Sequence, residues 1–138
     1  MLFSQIIGHE DIKAKLIQSV KENRVAHAQL FLGQEGTGKL PLAIAYAQYI
    51  NCVNRGENDS CGVCPSCKKF KALAHPDLHF IFPTTTTKNV KKDPESDLFL
   101  AEWRKYLENC DAYADLSSWY NKLDVENKQG SINVRDAA

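Results

Sequence analysis

The chain has 138 residues and a mass of 15.5 kDa, which is enough for one domain with a buried core and too little for two full-sized domains. Its 17 basic and 17 acidic side chains cancel, so the whole molecule offers no strong field to nucleic acid or to an acidic membrane. The longest apolar run, Leu42–Ala47, is too short for a membrane span, and no N-terminal targeting sequence fits, so we expect a cytoplasmic protein.

The first third of the chain predicts helices alternating with a short buried strand. Three apolar residues near its start are expected to be buried: Phe3, Ile6 and Ile7. An amphipathic helix follows over residues 9–23, with Ile12, Leu16 and Val20 on its apolar face. The apolar run Ala28–Leu32 stops at a glycine, as a buried parallel strand does, and a second helix is expected over residues 39–51.

The rest of the chain predicts a second strand followed by helices. A brief helix is expected over Lys68–Ala74, and a strand over Asp77–Phe82. After a threonine- and lysine-rich loop, two further helices are expected over Asp97–Asn109 and Ser117–Gln129, and a third strand could start at Ile132.

Residues 33–39 read G-Q-E-G-T-G-K and fit the phosphate-loop pattern G-x-x-x-x-G-K between the predicted strand and helix. Glycines let successive backbone N–H groups face a phosphate, the helix N-terminus adds positive potential, and the lysine reaches the outer phosphates. The predicted phosphate-binding residues are therefore Gly33, Gly36, Thr37, Gly38 and Lys39. The alternative is a plain glycine turn between a strand and a helix.

The position after the lysine departs from the phosphate-loop pattern. A serine or threonine hydroxyl there normally ligates the magnesium ion between the terminal phosphates, whereas this chain has Leu40, which carries no ligand atom. We therefore predict that the loop binds phosphate or nucleotide without supporting magnesium-dependent hydrolysis, and no catalytic residue is predicted.

Four of the five cysteines are spaced C-x8-C-x2-C-x2-C within residues 52–67. Four thiolates at such spacing suit a closed, tetrahedral, structural zinc site, and an iron–sulfur cluster is the alternative. The predicted metal ligands are Cys52, Cys61, Cys64 and Cys67. His75 could also ligate a metal, but four thiolates already close the site, and Cys110 is expected to be a small buried apolar residue.

Taken together, the phosphate loop and the cysteines resemble the bacterial clamp-loader ATPases of the AAA+ class, the gamma/tau and delta-prime subunits of DNA polymerase III. Residues 3–9 (F-S-Q-I-I-G-H) resemble the family's F-x-x-I-I-G-Q stretch beside the adenine pocket, and residues 27–33 (H-A-Q-L-F-L-G) resemble its H-A-x-L-F-x-G strand. Residues 75–77 (H-P-D) and the order of the four cysteines are also similar to the family's pattern. The resemblance covers residues 1–83 and is weak beyond them.

The resemblance implies an α/β fold: a P-loop AAA+ nucleotide-binding domain with a parallel sheet flanked by helices. Residues 1–138 would form an incomplete N-terminal part of it, with a zinc-binding insertion at about 52–67. Ile7 would lie near the nucleotide base, and ATP or ADP would bind weakly. Leu40 favours a delta-prime-like stator that helps to load the sliding clamp during replication. Its implied partners are the gamma/tau and delta subunits, the clamp and, through the complex, primer-template DNA.

Two rival interpretations remain open. One is an active gamma/tau-type ATPase with an unusual loop. The other is a zinc-knuckle nucleic-acid-binding module, for which the basic residues around the cysteines would be the contact surface: Arg55, Lys68, Lys69 and Lys71. The family's delta-prime subunits carry a Ser-Arg-Cys motif, and its nucleotide domain has an apolar strand ending in Asp-Glu. Neither occurs in the sequence, so we expect the chain to be an N-terminal fragment or a truncated product.

Overall fold

Helices are the regular secondary structure of this chain in a computed structural model, which describes residues 1–125 and 127–137. The chain divides into two compact units, Met1–Leu78 and His79–Ala138. Within the described ranges, no helix is long and apolar enough to cross a membrane. The α-helices are α1 (Glu10–Lys21), α2 (Lys39–Asn51), α3 (Pro65–Lys71), α4 (Leu100–Asn109) and α5 (Leu116–Lys122), and short 3₁₀ helices cover Phe3–Gln5, Ser96–Phe99 and Val134–Ala137.

Helices α1 and α2 confirm the two helices predicted for the first third of the chain. Two acids in the first turn of α1 and a lysine in its last turn complement the helix dipole. The buried face of α1 is rotated from the predicted one, because Ile17 and Val20 are buried while Ile12 is exposed.

The core of the first unit lies between α1, α2 and the first 3₁₀ helix. Phe3 and Ile6 are buried there, as predicted, together with Ile17, Val20, Leu42, Ala45, Tyr46 and Tyr49. Ile7 is 88% exposed, so the prediction that it is buried is wrong. Ile6 has extended backbone and takes the inward position, and successive side chains in extended backbone point to opposite sides.

The predicted strands are corrected by the structure. Neither Ala28–Leu32 nor Asp77–Phe82 forms a strand among the described residues, and none begins at Ile132, so the predicted parallel sheet is not seen. A strand exists only where a neighbouring segment completes its ladder. In the part of the chain that the structure describes, no backbone–backbone hydrogen bond joins Ala28–Leu32 to another segment, and Leu30 and Leu32 are 85% and 88% exposed.

The shorter helices differ from their predicted ranges at their ends. Helix α3 begins earlier than predicted, because Cys64 caps it and Pro65 occupies its first position. Helix α5 ends at Lys122, well before residue 129, because the chain enters a left-handed turn at Asp124. The helix predicted over Asp97–Asn109 is a 3₁₀ turn followed by α4.

Aromatic side chains form the core of the second unit. The Phe82 ring stacks on Trp103 with centroids 4.2 Å apart, and Trp119 meets Trp103 edge-on at 4.9 Å. The Trp119 indole Nε1 donates to the Pro83 carbonyl at 2.9 Å, so its polar atom is satisfied although the residue is buried. Tyr106 packs against both tryptophans. These contacts hold α4 and α5 together.

Candidate phosphate loop and metal centre

The predicted phosphate loop, residues 33–39, leads directly into the N-terminus of α2. Gly36 and Gly38 have φ of 75° and 84°, in the left-handed region that glycine adopts without strain, and Gly38 is the N-cap of the helix. The first N–H groups of a helix have no intrahelical partner and carry the positive end of its dipole. The structure thus brings Gly36, Thr37 and Lys39 to a helix N-terminus, where backbone donors can bind an anion.

The side chain of Lys39 closes over its own loop. Its ammonium donates to the carbonyl of Gly33 at 2.7 Å and to that of Gln34. The Thr37 hydroxyl donates to the same Gln34 carbonyl at 2.8 Å. An anion at this loop therefore competes with carbonyl oxygens for the lysine ammonium.

A cleft of about 260 Å³ opens beside the loop. Its polar lining includes His9, Thr37 and Lys39, and its apolar lining is Ile12, Leu16, Leu30, Phe31, Leu32 and Leu42. The His9 Nε2 lies 2.5 Å from the Thr37 carbonyl oxygen. Sequence reasoning did not single out His9, although it stands where the family's I-I-G-Q stretch has glutamine. Ile7 is not among the residues that line the cleft.

Leu40 is the second residue of α2, directly after Lys39. It is partly buried, and its side chain holds only carbon and hydrogen. The position from which a serine or threonine hydroxyl would reach a loop-bound magnesium ion therefore supplies no ligand.

The structure brings the four predicted metal-ligating cysteines together. Their sulfur atoms all lie within 4.8 Å of one another. The Sγ atoms of Cys52 and Cys61 are 3.5 Å apart, and those of Cys61 and Cys67 are 3.9 Å apart. A tetrahedral ion with Zn–S bonds of about 2.3 Å holds its sulfurs about 3.8 Å apart. The cluster can therefore hold a metal ion.

Helix ends position these cysteines. Cys52 is the C-cap of α2, and Cys64 is the N-cap of α3. The backbone N–H of each later cysteine donates to the sulfur of the preceding one at 3.4 Å. These hydrogen bonds join Cys61 to Cys52, Cys64 to Cys61, and Cys67 to Cys64. Such donors stabilise thiolates, the form that binds a metal.

The thiols of the cluster differ in acidity. The N–H groups of Val63 and Cys64 lower the pKa of the Cys61 thiol, and those of Cys67 and Val53 lower the pKa of Cys64. Burial raises the pKa of Cys67. A metal ion would offset that burial by binding the Cys67 sulfur as a thiolate.

The two other candidate ligands lie apart from the cluster. His75 stacks on Phe70 at 4.5 Å, and its Nε2 lies 3.1 Å from the Ser66 hydroxyl. Cys110 caps the C-terminus of α4 and is partly buried, and burial raises the pKa of its thiol. Neither residue belongs to the metal-binding set found among the described residues.

Comparison with known proteins gives a family match over more than half of the chain. The family described as "DNA polymerase III, delta subunit" matches residues 8–107, a range that contains both the loop and the four cysteines. DNA polymerase III subunit delta' of Bacillus subtilis is 40% identical over 68 residues, which cover 49% of this chain and 20% of that protein. DNA polymerase III subunit tau/gamma of Haemophilus influenzae is 36% identical over 86 residues, which cover 62% of this chain and 12% of that protein.

Protein STICHEL of Arabidopsis thaliana is also similar, with 37% identity over 78 residues that cover 56% of this chain and 6% of that protein. The chain therefore spans a fifth or less of the length of these relatives. No solved structure matches it significantly.

Proposed function

Because this chain belongs to the DNA polymerase III delta-subunit family, we propose that it is a clamp-loader subunit of the delta-prime type, a stator that helps to load the sliding clamp during replication. The observation that carries the proposal is the match over residues 8–107, which includes the loop and the cysteines in one stretch. The similar proteins include both a delta' and a tau/gamma subunit, so the loop chemistry must decide between the two roles.

The loop chemistry favours the stator role. Phosphate binds at the loop residues Gly33, Gly36, Thr37, Gly38 and Lys39. ATP or ADP binds there weakly, through its phosphate groups. Leu40 removes the hydroxyl that would hold magnesium, so the subunit itself does not hydrolyse ATP. Ile7 stays a proposed neighbour of the nucleotide base.

A structural zinc ion at Cys52, Cys61, Cys64 and Cys67 is part of the proposal. The close sulfur spacing and the all-thiolate donor set support zinc, and four thiolates leave no open position for catalysis. A bound ion would link the end of α2 to the start of α3. A cytoplasmic location is also proposed, since a reducing compartment keeps these thiols available for a metal.

The fold that we propose is a P-loop AAA+ domain, of which residues 1–138 form part, with a zinc-binding insertion at about 52–67. The proposed partners are the gamma/tau and delta subunits, the sliding clamp and primer-template DNA, all met within the assembled complex.

Reconstitution tests the stator role. The chain is mixed with purified gamma/tau and delta subunits of its own organism, and complex formation and ATP turnover are measured. We expect co-elution, and we expect Lys39→Ala in this chain to leave the turnover of the complex unchanged. A large loss of turnover with Lys39→Ala would support the active gamma/tau-type ATPase, and a failure to assemble would contradict the clamp-loader role.

A further inference from the structure

Asp59, in the loop between the first two clustered cysteines, holds the start of the chain. Its Oδ1 accepts from the N–H of Phe3 and its Oδ2 from the N–H of Ser4, both at 2.9 Å. These are first-turn donors of the 3₁₀ helix Phe3–Gln5, so Asp59 caps that helix from 55 residues away along the chain. Its Oδ1 also accepts from the N–H of Ser60 at 2.8 Å, which fixes the carboxylate in its own loop.

Two further contacts join the start of the chain to the cysteine cluster. The buried Gln48 accepts from the Met1 ammonium through Oε1 at 2.8 Å, and its side chain also hydrogen-bonds Cys67. The Leu2 side chain lies against the turn at Gly62: a Cβ atom added to that glycine would be 3.7 Å from the Leu2 methyl groups. The N-terminal segment, Met1–His9, therefore contacts residues that lie next to the cluster in the chain or in space.

The other end of the N-terminal segment reaches the phosphate loop. The Lys13 side chain is almost fully buried, and its ammonium donates to the Ile6 carbonyl at 2.6 Å and to Glu10 at 3.1 Å. His9 then begins α1 with a left-handed φ of 61° and places Nε2 against the Thr37 carbonyl. One short segment thus reaches from the residues beside the cysteine cluster to the phosphate loop.

We propose that metal binding at the four cysteines fixes the N-terminal segment and, through it, His9 at the phosphate loop, with Asp59 as the positioning residue. The loop over residues 53–59 is largely polar, and its one large apolar side chain, Val53, is exposed, so apolar packing contributes little to its order. In such a segment, metal-binding free energy supplies the order that a core would otherwise give. The inference rests on the proposed metal site and does not require nucleotide binding.

Amide hydrogen exchange at Phe3 and Ser4 tests this coupling in the full chain, with and without metal. The metal is followed separately by the thiolate absorption of bound Co²⁺. In the wild type, we expect removal of the metal with a chelator to speed exchange at both amides about tenfold, which corresponds to about 1.4 kcal/mol. In Asp59→Ala, we expect the same fast exchange with the metal still bound, and no further response to the chelator.

Glu57→Ala is the matched control, because it removes an equal charge from an exposed position of the same loop. It should behave like the wild type. Asp59→Asn keeps one carbonyl acceptor, so its exchange rates at Phe3 and Ser4 should lie between those of the wild type and Asp59→Ala. This variant provides the test if Asp59→Ala does not fold. If the exchange rates at Phe3 and Ser4 of the wild type are the same with and without metal, the proposed coupling is wrong. A wild-type protein whose amide exchange responds to the metal as expected, but which does not bind pyrophosphate, would instead count against the proposed phosphate site alone.

Discussion

The ammonium of Lys39 is bound by two carbonyl oxygens of its own loop. A phosphate at the loop must share that ammonium or displace it from those oxygens, which offsets part of the charge-assisted bond that it gains. The backbone donors at the start of α2 remain available. We therefore expect phosphate or ADP to bind in the high-micromolar to millimolar range, about 4 to 6 kcal/mol.

Lys39→Ala is expected to weaken phosphate binding about tenfold, because a hydrogen bond from a charged donor contributes roughly 1.5 kcal/mol. Ile7→Ala is the comparison variant and should change binding less than twofold, because an Ile7 side chain that is 88% exposed adds little to binding even as a neighbour of the base. Side-by-side titration with inorganic phosphate and ADP makes the measurement. Micromolar ADP binding that disappears in Ile7→Ala would show a complete base pocket and contradict this prediction.

Residues of the two candidate sites differ in how far the sequence could predict them. The glycines, Lys39 and the four cysteines form local patterns whose spacing carries the chemistry. His9 and Asp59 act on partners 28 and more than 50 residues away, on Thr37 and on the amides of Phe3 and Ser4. No local pattern encodes such a contact, because it depends on how the elements pack.

At the level of elements, the cysteine cluster links the end of α2 to the start of α3. We expect one zinc ion per chain, and Cys64→Ser should weaken its binding and lower the melting temperature. Metal analysis and thermal melting make the measurement, with Cys110→Ser as the control outside the cluster. A fully folded zinc-free protein, or a disulfide within the cluster, would contradict this prediction.

The cap of α5 gives a prediction about pH. The Asp115 carboxylate accepts from the N–H and the hydroxyl of Ser118 at 2.9 and 2.6 Å, and these bonds lower its pKa below the usual 3.8. The stabilisation is therefore complete above pH 3.8 and is lost as the pH falls through the lowered value. Asp115→Ala should cost about 1 kcal/mol at pH 7 and progressively less in acid.

Denaturant unfolding of the wild type and Asp115→Ala over a series of pH values measures this difference. Glu108→Ala, an equal loss of charge on an exposed position of α4, is the control and should have little effect. A cost for Asp115→Ala that stays constant down to the lowest pH would show that the carboxylate charge does not matter to the cap.

Helices and strands differ in how well the sequence predicts them, because a helix makes its backbone hydrogen bonds internally and a strand makes them with a neighbouring segment. Helices α1 and α2 make their hydrogen bonds internally, so apolar spacing and end residues were enough to place them. Ala28–Leu32 has the composition of a buried strand, yet a strand also needs a neighbour, and its leucines are exposed. Helix α5 was predicted too long because the left-handed turn at Asp124 carries no glycine.

At the level of the whole molecule, each compact unit has a core of its own. The first is built on α1 and α2, and the second on an aromatic cluster around Trp119. The family match ends at residue 107, within the second unit. The two candidate sites both lie in the first unit, Met1–Leu78.

ATP hydrolysis tests the chain as a whole, because a working site needs ligands from several separate segments. Leu40 supplies none, and the sequence has no Asp-Glu pair after an apolar run to complete a magnesium site. We therefore expect the purified chain to release phosphate from ATP no faster than the buffer does. Leu40→Thr should not restore turnover, since a single hydroxyl leaves the metal without its acidic partner. A phosphate-release assay on both proteins makes the measurement, with Lys39→Ala as the background control. Turnover that depends on Lys39 in the unaltered chain would establish an active ATPase and refute the stator role.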